Sequence, residues 1–187
     1  MEQLNAFDTA LTEFDRRVHQ VTGEQWDAAT PCSDWTVRDL VGHLTAEHLW
    51  APLLLRGATL GEVGDRFDGD VLGDDPVGAW EQAVAESSLA FHRPGALDGS
   101  VHTSGGRTPA AEYAWQMTMD LTVHAWDLAR GIGADDGMDK NLVATVLAGA
   151  ESRIGDWQGL GIFDPPVDVA ESASVQDRLV ALLGRRP

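Results

Sequence analysis

A strongly apolar helical pattern includes the stretch Met119-Asp120-Leu121-Thr122-Val123-His124-Ala125-Trp126-Asp127-Leu128. It places a carboxylate and an imidazole, those of Asp120 and His124, four residues apart and therefore about one turn from each other on one helix face. Both project from within or beside an apolar stripe, where an unpaired polar group is costly. The stripe consists of Ala110, Tyr113, Ala114, Met117, Leu121, Ala125 and Leu128. The two polar residues therefore either belong to a hydrogen-bonded core network or hold a metal ion.

Hydrophobic periodicity predicts helices along most of the remaining chain. A first helix covers residues 4–21, and a second begins with Thr36 as its N-cap and Asp39 at its third position and stops at Gly57. Four later helices are predicted to begin at Pro76, at Pro109 with Thr108 as cap, at about Asp139 and after Ser174. The one that contains Asp120 is expected to end near Gly131, and the next near Ile154. We expect an all-α fold, an antiparallel four-helix bundle with extra C-terminal helices.

Segments rich in glycine and aspartate are predicted to be loops. Residues 57–75 hold five Gly and five Asp and lack the ligand spacing of an EF-hand, which indicates a solvated surface loop. Residues 95–107 and 155–168 are also expected to be irregular. Val101–Thr103 and Val167–Val169 are candidates for short extended pieces.

A metal site in a helical bundle takes its ligands from facing helices. His43, at the edge of the apolar stripe of the second helix, is the natural third ligand beside Asp120 and His124. Two imidazoles and one carboxylate leave coordination positions open for water or substrate, and they suit Zn, Ni, Fe or Mn. His48 and Glu47 compete with His43, and Glu47 is a candidate for an extra ligand or a hydrogen-bond partner. A core network without metal remains the alternative.

Length and composition predict one domain, 1–187, with enough apolar residues (43%) for a sizeable core. No run approaches the roughly 20 apolar residues of a membrane span. The start of the chain, Met1–Asn5, lacks the pattern of a secretory signal. The single cysteine, Cys32, excludes an internal disulfide and a cysteine-based zinc site. We therefore expect a cytoplasmic protein that does not enter membranes.

The formal net charge of -17 argues against nucleic acid as a partner, because phosphate backbones are bound by clusters of Lys and Arg. The same charge favours the attraction of cations.

Other polar and aromatic residues are expected to be structural. Cys32 is predicted to pack in the interior, as free cysteines usually do. Trp35 and Trp126 are predicted to be core anchors. Arg130 has three candidate partners: Asp127, Asp39 or an anionic substrate. The remaining histidines, expected near the surface, are His19, His92 and His102.

Two long motifs resemble the mycothiol-dependent maleylpyruvate isomerase group of the DinB-like superfamily. The first is Thr30-Pro31-Cys32-Ser33-Asp34-Trp35-Thr36-Val37-Arg38-Asp39-Leu40-Val41-Gly42-His43-Leu44, and the second is Asp120-Leu121-Thr122-Val123-His124-Ala125-Trp126-Asp127-Leu128-Ala129-Arg130. The closing segments, 163–167 and 177–187, resemble one small single-domain branch of that group. The resemblance covers essentially the whole chain.

This resemblance implies a four-helix bundle that binds a divalent metal, usually zinc, through a histidine on the second helix and a carboxylate-x-x-x-His motif on a later one. Carried over to this chain, the ligands are His43, Asp120 and His124. The family often has Glu at the position of Asp120. The isomerase continues into a C-terminal domain that helps to hold thiol and substrate, whereas this sequence stops at Pro187. Its substrate is therefore not expected to carry over.

What the resemblance does imply is a chemistry. A metal lowers the pKa of a bound thiol and keeps it as the nucleophilic thiolate. A low-molecular-weight thiol such as mycothiol would take the open position and add to an electrophile, as a transferase or an isomerase. A metal-binding or regulatory protein without turnover and a purely structural bundle are the other hypotheses. A homodimer packed through bundle helices is compatible with the resemblance.

Overall fold

Four long helices build the bundle in the computed structural model, which describes residues 1–153 and 163–187. They are α1 (Gln3–Val18), α2 (Val37–Leu54), α4 (Pro76–Phe91) and α5 (Ala110–Ile132), with the short α3 (Leu60–Val63) before α4. Helix α5 packs against α1 and α2, and α2 also packs against α4. Two further helices, α6 (Lys140–Glu151) and α7 (Val175–Leu182), pack on each other, and α6 also contacts α1 and α5. The prediction of a four-helix bundle with extra C-terminal helices is confirmed.

Helix α2 begins where the sequence predicted. The Thr36 hydroxyl accepts from the Asp39 backbone N–H, while the Asp39 carboxylate accepts from the Thr36 backbone N–H at 2.9 Å. This reciprocal capping satisfies two donors that a helix start would otherwise leave unpaired. An antiparallel bridge between Ala29 and Thr36 holds the chain just before the helix. The start of α2, and with it the position of His43, is therefore well defined.

Helix α5 is the central helix, and residues 121–129 are all buried. Its predicted cap is wrong: Thr108 pairs with Val101 in a β-hairpin, and Pro109 is the N-cap. The hairpin consists of β1 (Ser100–Thr103) and β2 (Gly106–Pro109). Proline has a fixed φ and no N–H to donate, so it can close a strand and open a helix without a gap between them.

Other element boundaries differ from the sequence-based prediction in small ways. Helix α1 ends at Val18, and a 3₁₀ turn covers Gly23–Asp27. The loop 57–75 contains α3, which has its own Thr59–Glu62 capping box. The extended prediction for Val101–Thr103 is confirmed as β1, whereas Val167–Val169 forms no strand. Of the loop predicted over 155–168, residues 155–162 lie outside the described part of the chain.

Aromatic side chains fill the centre of the bundle. Phe7, Phe14, Trp80 and Phe91 are fully buried and contact one another in pairs, with ring centroids 4.7 Å apart for Phe7–Phe91 and 4.9 Å apart for Phe14–Trp80. Trp126 is also buried, which confirms it as a core anchor. Among the described residues, the helices are too short or too polar to cross a membrane.

Candidate metal centre

Three polar side chains from two helices converge at one point. His43 comes from α2, and Asp120 and His124 come from α5. His43 Nε2 lies 2.9 Å from Asp120 Oδ2, and His124 Nε2 lies 3.3 Å from Asp120 Oδ1. One ligand-type atom from each residue lies within 4.8 Å of the other two. Each carboxylate oxygen of Asp120 therefore faces a different imidazole.

The spacing of these atoms fits a divalent ion. Zinc binds imidazole nitrogens and carboxylate oxygens at about 2.0–2.2 Å, so ligand atoms around a tetrahedral ion are roughly 3.3 Å apart. The two nitrogen–oxygen distances, 2.9 and 3.3 Å, are close to that edge length, although they involve different oxygens of Asp120 and are also the lengths of hydrogen bonds. The donor set is therefore compatible with a metal that has further positions free.

The electrostatics of the centre favour positive charge. Burial opposes the charged form of His124, but the carboxylates of Asp120 and Asp127 raise its pKa to about 9. Burial also acts against ionised Asp120, yet the two imidazoles hold its pKa well below the usual range. For His43 the loss of solvation is again outweighed, because the neighbouring Asp120 raises its pKa. A metal cation bound between these groups would replace the imidazole protons as the positive charge that faces the Asp120 carboxylate.

Asp127 orients the imidazole of His124. Its Oδ2 lies 3.0 Å from His124 Nδ1, so that Nδ1–H donates to Asp127 and Nε2 is left facing Asp120. A carboxylate behind a metal-binding histidine fixes the ring and its tautomer in this way. Burial would raise the pKa of Asp127, but hydrogen bonds from His124 and Arg185 keep it low.

Arg185 completes this chain of contacts. Its guanidinium donates to Asp127 Oδ2 at 2.8 Å and to the Leu183 carbonyl oxygen at 2.8 Å. Gly184, with φ +85°, allows the backbone to turn here, and a Cβ at this position would lie 2.7 Å from the backbone oxygen of Asp164. The turn at Gly184 thereby directs Arg185, which follows α7, towards Asp127.

A cavity of about 1090 Å³ opens over the three polar side chains. This is large for a small-molecule site, with room for a thiol and a second ligand together. The β1–β2 hairpin contributes Thr103, Ser104 and Thr108 to its wall, α2 and α5 contribute ten residues, and the segment before α2 and the end of the chain contribute several more. The larger side chains that line it include Trp35, Glu47, Trp50, Tyr113, Gln116, Met117 and Met119.

The structure distinguishes among the residues that the sequence offered as candidates for the third ligand. His43 joins Asp120 and His124, whereas His48 lies in the aromatic core, with its ring 5.2 Å from that of Trp80. Glu47 lines the cavity one turn beyond His43 but does not belong to the group of three. His19 and His92 are exposed, as predicted, and His102 is half-buried on β1.

Two expectations about the cavity wall are corrected. Trp35 is not a core anchor: it is half-buried, lines the cavity and stacks on His124 with centroids 5.6 Å apart. Cys32 is half-buried in the same wall, and its sulfur lies within 4.8 Å of ligand-type atoms of His124 and Asp127. The segment before α2 passes over the cavity instead of packing between helices, which explains both positions. Burial raises the pKa of the Cys32 thiol.

Arg130 contacts neither Asp127 nor Asp39. It lies 3.3 Å from Asp136, and its guanidinium lies over the Trp126 ring at 5.1 Å. The arginine that reaches Asp127 is Arg185, which the sequence reading missed. Asp127 itself carried a signal, since it is a second carboxylate in an otherwise apolar stretch, three residues after His124. No sequence pattern pointed to Arg185, because only the packing of the chain around α7 brings it to Asp127.

The fold and the site define a helical-bundle protein with a histidine–carboxylate–histidine cluster beneath a large cavity. The family model for the mycothiol maleylpyruvate isomerase N-terminal domain matches residues 7–129, and the chain belongs to this family. The match covers α1 to α5 nearly completely, with the three converging residues and Asp127 but without Arg185.

Solved structures share this fold, and two curated proteins are similar over nearly the whole chain. A crystal structure of the mycothiol-dependent maleylpyruvate isomerase superposes with a TM-score of 0.61 at 20% identity, covering 79% of this chain and 68% of that one. A mutant of that enzyme gives 0.60 at 18% identity. Two uncharacterized proteins of Mycobacterium tuberculosis, from two strains, are each 29% identical over 191 residues, which is 99% of this chain and 98% of each relative.

Proposed function

We propose that this protein is a metal-dependent thiol transferase or isomerase, in which His43, Asp120 and His124 hold a divalent metal. A low-molecular-weight thiol, mycothiol, is the proposed nucleophile, and a small electrophile is the second substrate. The observation that carries the proposal is the convergence of the three side chains beneath a cavity of about 1090 Å³. Family membership supports the choice of thiol.

Zinc is the first choice of metal, with nickel, iron and manganese as alternatives, because two imidazoles and a carboxylate suit all four. When bound, the metal would hold the thiol sulfur as thiolate at neutral pH. Asp120 is shorter than glutamate by one methylene group, so it brings its helix backbone closer to the ion.

The chain's own residues prepare this centre. Asp127 accepts a hydrogen bond from Nδ1–H of His124 and thereby leaves Nε2 to act as a ligand. Arg185 neutralises Asp127 and holds it in place. Trp35 lies against both imidazoles, with ring centroids 4.9 Å from His43 and 5.6 Å from His124, and limits the access of water from that side. The rest of the cavity would hold the electrophile, to whose carbon the thiolate sulfur would add.

Metal content and thiol binding test the proposal in two steps. Protein purified without an affinity tag is expected to contain near-stoichiometric metal by elemental analysis, and His124→Ala is expected to lose it. His19→Ala, which changes an exposed histidine outside the cavity, serves as the matched control. Equal metal content in wild type and His124→Ala would contradict the proposed ligand set.

The second step uses cobalt in place of the native metal. Addition of mycothiol is expected to change the cobalt absorption spectrum, because a sulfur ligand enters the coordination sphere. Stoichiometric metal with an unchanged spectrum would contradict the thiol chemistry and would favour a metal-binding or regulatory protein without turnover.

A further inference from the structure

The cavity has a second polar end that the proposed metal centre does not use. Glu47 follows His43 by one turn on α2, and Gln116 precedes Asp120 by one turn on α5. Tyr113 lies on the same face of α5, a further turn away. All three line the cavity. We call Glu47, Gln116 and Tyr113 the distal end.

Polar groups at the distal end lack partners. Tyr113 is 4% exposed, and its hydroxyl has no hydrogen-bond partner among residues 1–153 and 163–187. Among the described residues, no side chain donates to the Glu47 carboxyl group or forms an ion pair with it. Burial first, and the charge of Asp120 second, raise the pKa of Glu47. Because buried polar groups are normally paired, the unsatisfied hydroxyl of Tyr113 indicates a place for the polar part of a ligand, and the half-buried Glu47 carboxyl group offers a second polar contact there.

Apart from the imidazoles of His43 and His124, which face Asp120 at the other end of the cavity, the described part of the wall offers no unpaired positive charge to such a ligand. Within the described ranges, Arg185 is the basic Lys or Arg side chain that lines it, and its guanidinium is already bound to Asp127. Residues 154–162 contain no Lys or Arg. A divalent ion with one carboxylate and one thiolate ligand has no net charge left over. Glu47 and Asp164 then leave the wall acidic.

We propose that the cavity selects an uncharged electrophile, whose amide, carbonyl or hydroxyl group binds at the distal end, and that it excludes electrophiles bearing a carboxylate. A ligand carboxylate placed near Glu47 would meet like charge at low dielectric, and the described lining residues offer no unpaired Lys or Arg to compensate it. This inference rests on the proposed function, because it assigns the electrophile's side of the same cavity. It removes maleylpyruvate, a compound with two carboxylates, from the substrates expected for this chain.

A pair of ligands that differ only in charge tests the inference. Cinnamamide and cinnamate are unsaturated electrophiles of nearly the same shape, one neutral and one anionic. Their affinities are measured by quenching of tryptophan fluorescence, since Trp35 and Trp50 line the cavity. The protein is used as purified at pH 7.5, with 2-mercaptoethanol as a small thiol to fill an open metal position. Cinnamamide is expected to bind at least about tenfold more tightly than cinnamate, because the cinnamate carboxylate and the Glu47 carboxylate repel each other within one cavity.

Two isosteric substitutions test the cause of this preference. Glu47→Gln removes a negative charge and is expected to strengthen the binding of cinnamate several-fold. The ratio of the cinnamamide affinity to the cinnamate affinity should therefore fall. Gln116→Glu adds a charge on the facing helix and is expected to weaken cinnamate while changing cinnamamide less. Glu86→Gln makes the same charge change as the first variant on an exposed residue outside the cavity and is expected to leave the ratio unchanged. Circular dichroism and thermal unfolding confirm that each variant is folded.

The outcomes separate this inference from the proposed function. Equal affinities, tighter binding of cinnamate, absence of binding by both ligands, or a ratio that Glu47→Gln and Gln116→Glu leave unchanged would each overturn it. None of these measurements requires turnover. A failure of the cobalt–mycothiol experiment together with the expected ligand preference would instead remove the thiol chemistry and keep a cavity selective for neutral ligands.

Discussion

His43 and His48 lie on the same helix, five residues apart, in opposite surroundings. His43 faces a carboxylate at 2.9 Å and the second imidazole of the proposed centre. His48 is completely buried between Phe7 and Trp80, and in the part of the chain that the structure describes neither of its ring nitrogens has a hydrogen-bond partner. Burial lowers the pKa of His48 to about 3, whereas the neighbouring carboxylate raises that of His43. The comparison shows that the partners of a buried histidine, more than burial itself, determine its chemistry.

Substitution of the carboxylate is expected to disrupt the polar region most strongly. Asp120→Asn keeps the shape of the side chain but removes the charge that both imidazoles face, and neutral amides are poor ligands for such metals. We expect metal affinity to fall by more than about 100-fold, beyond the range typical of residues that only support a ligand. Competition with a chromophoric chelator measures this loss. An unchanged affinity would remove Asp120 from the proposed ligand set.

Removal of the support behind His124 is expected to have the next largest effect. Asp127→Asn leaves the ligands in place but no longer fixes the His124 tautomer, so metal affinity should fall by roughly 10–100-fold. Arg185 also loses its charged partner, so the variant should unfold at a lower temperature. Asp136→Asn, which disturbs the Asp136–Arg130 pair outside the site, is the control. If both variants bind metal equally well, Asp127 does not orient the centre.

Sequence patterns predicted most of the helices that position the His43 and His48 regions. The capping box at Thr36 and Asp39 and the periodicity of α5 located both helices, and the four-residue spacing of Asp120 and His124 put them on one face. The choice between His43 and His48 needed the crossing of α2 and α5, because both histidines border the same apolar stripe. Packing between helices is a property of pairs of faces, which a single sequence pattern does not contain.

The cavity residues that the sequence did not predict correctly lie in segments without hydrophobic periodicity. Trp35 and Cys32 lie in the non-helical segment before α2, and Arg185 follows the turn at Gly184. Loop paths of this kind are determined by long-range contacts, here the approach of the chain's end to Asp127. Hydrophobic spacing therefore predicted the scaffold, and tertiary contacts supplied most of the cavity wall.

The pH dependence of stability should report on the aromatic region. Because the folded pKa of His48, about 3, lies below the ordinary histidine value of 6.5, the unfolded chain binds this proton first as the pH falls. Its contribution to stability is therefore full above about pH 6.5 and is lost as the pH falls. At pH 5.5 the loss amounts to about 1.4 kcal/mol. Among the described residues, Asp120 is the charged group that acts on His48, and α1 and α4 present the rings of Phe7 and Trp80.

His48→Leu tests this expectation. The variant should lose less stability between pH 7.5 and 5.5 than wild type, by about that amount, when unfolding in urea is followed at each pH. At pH 7.5 it should be as stable as wild type or more so, because an apolar group replaces an unpaired polar one. His92→Leu is the control: its exposed histidine has a raised pKa, caused first by the Ser88 carbonyl oxygen, so its loss should not flatten the profile. Parallel profiles for wild type and His48→Leu would contradict the assignment.

The smallest expected effect separates the stability of α2 from the chemistry of its residues. Thr36→Ala removes the hydroxyl that accepts from the Asp39 backbone N–H and should destabilise the fold by about 1 kcal/mol. His43 lies two turns further along a helix held on both sides by α4 and α5, so metal affinity should change by less than about threefold, within the scatter of independent sites. Urea unfolding and chelator competition on the same preparation measure the two quantities. A parallel loss of metal affinity would show instead that the start of α2 and the His43 end of the cavity move as one unit, and that the polar region depends on the cap in a way that the aromatic region does not.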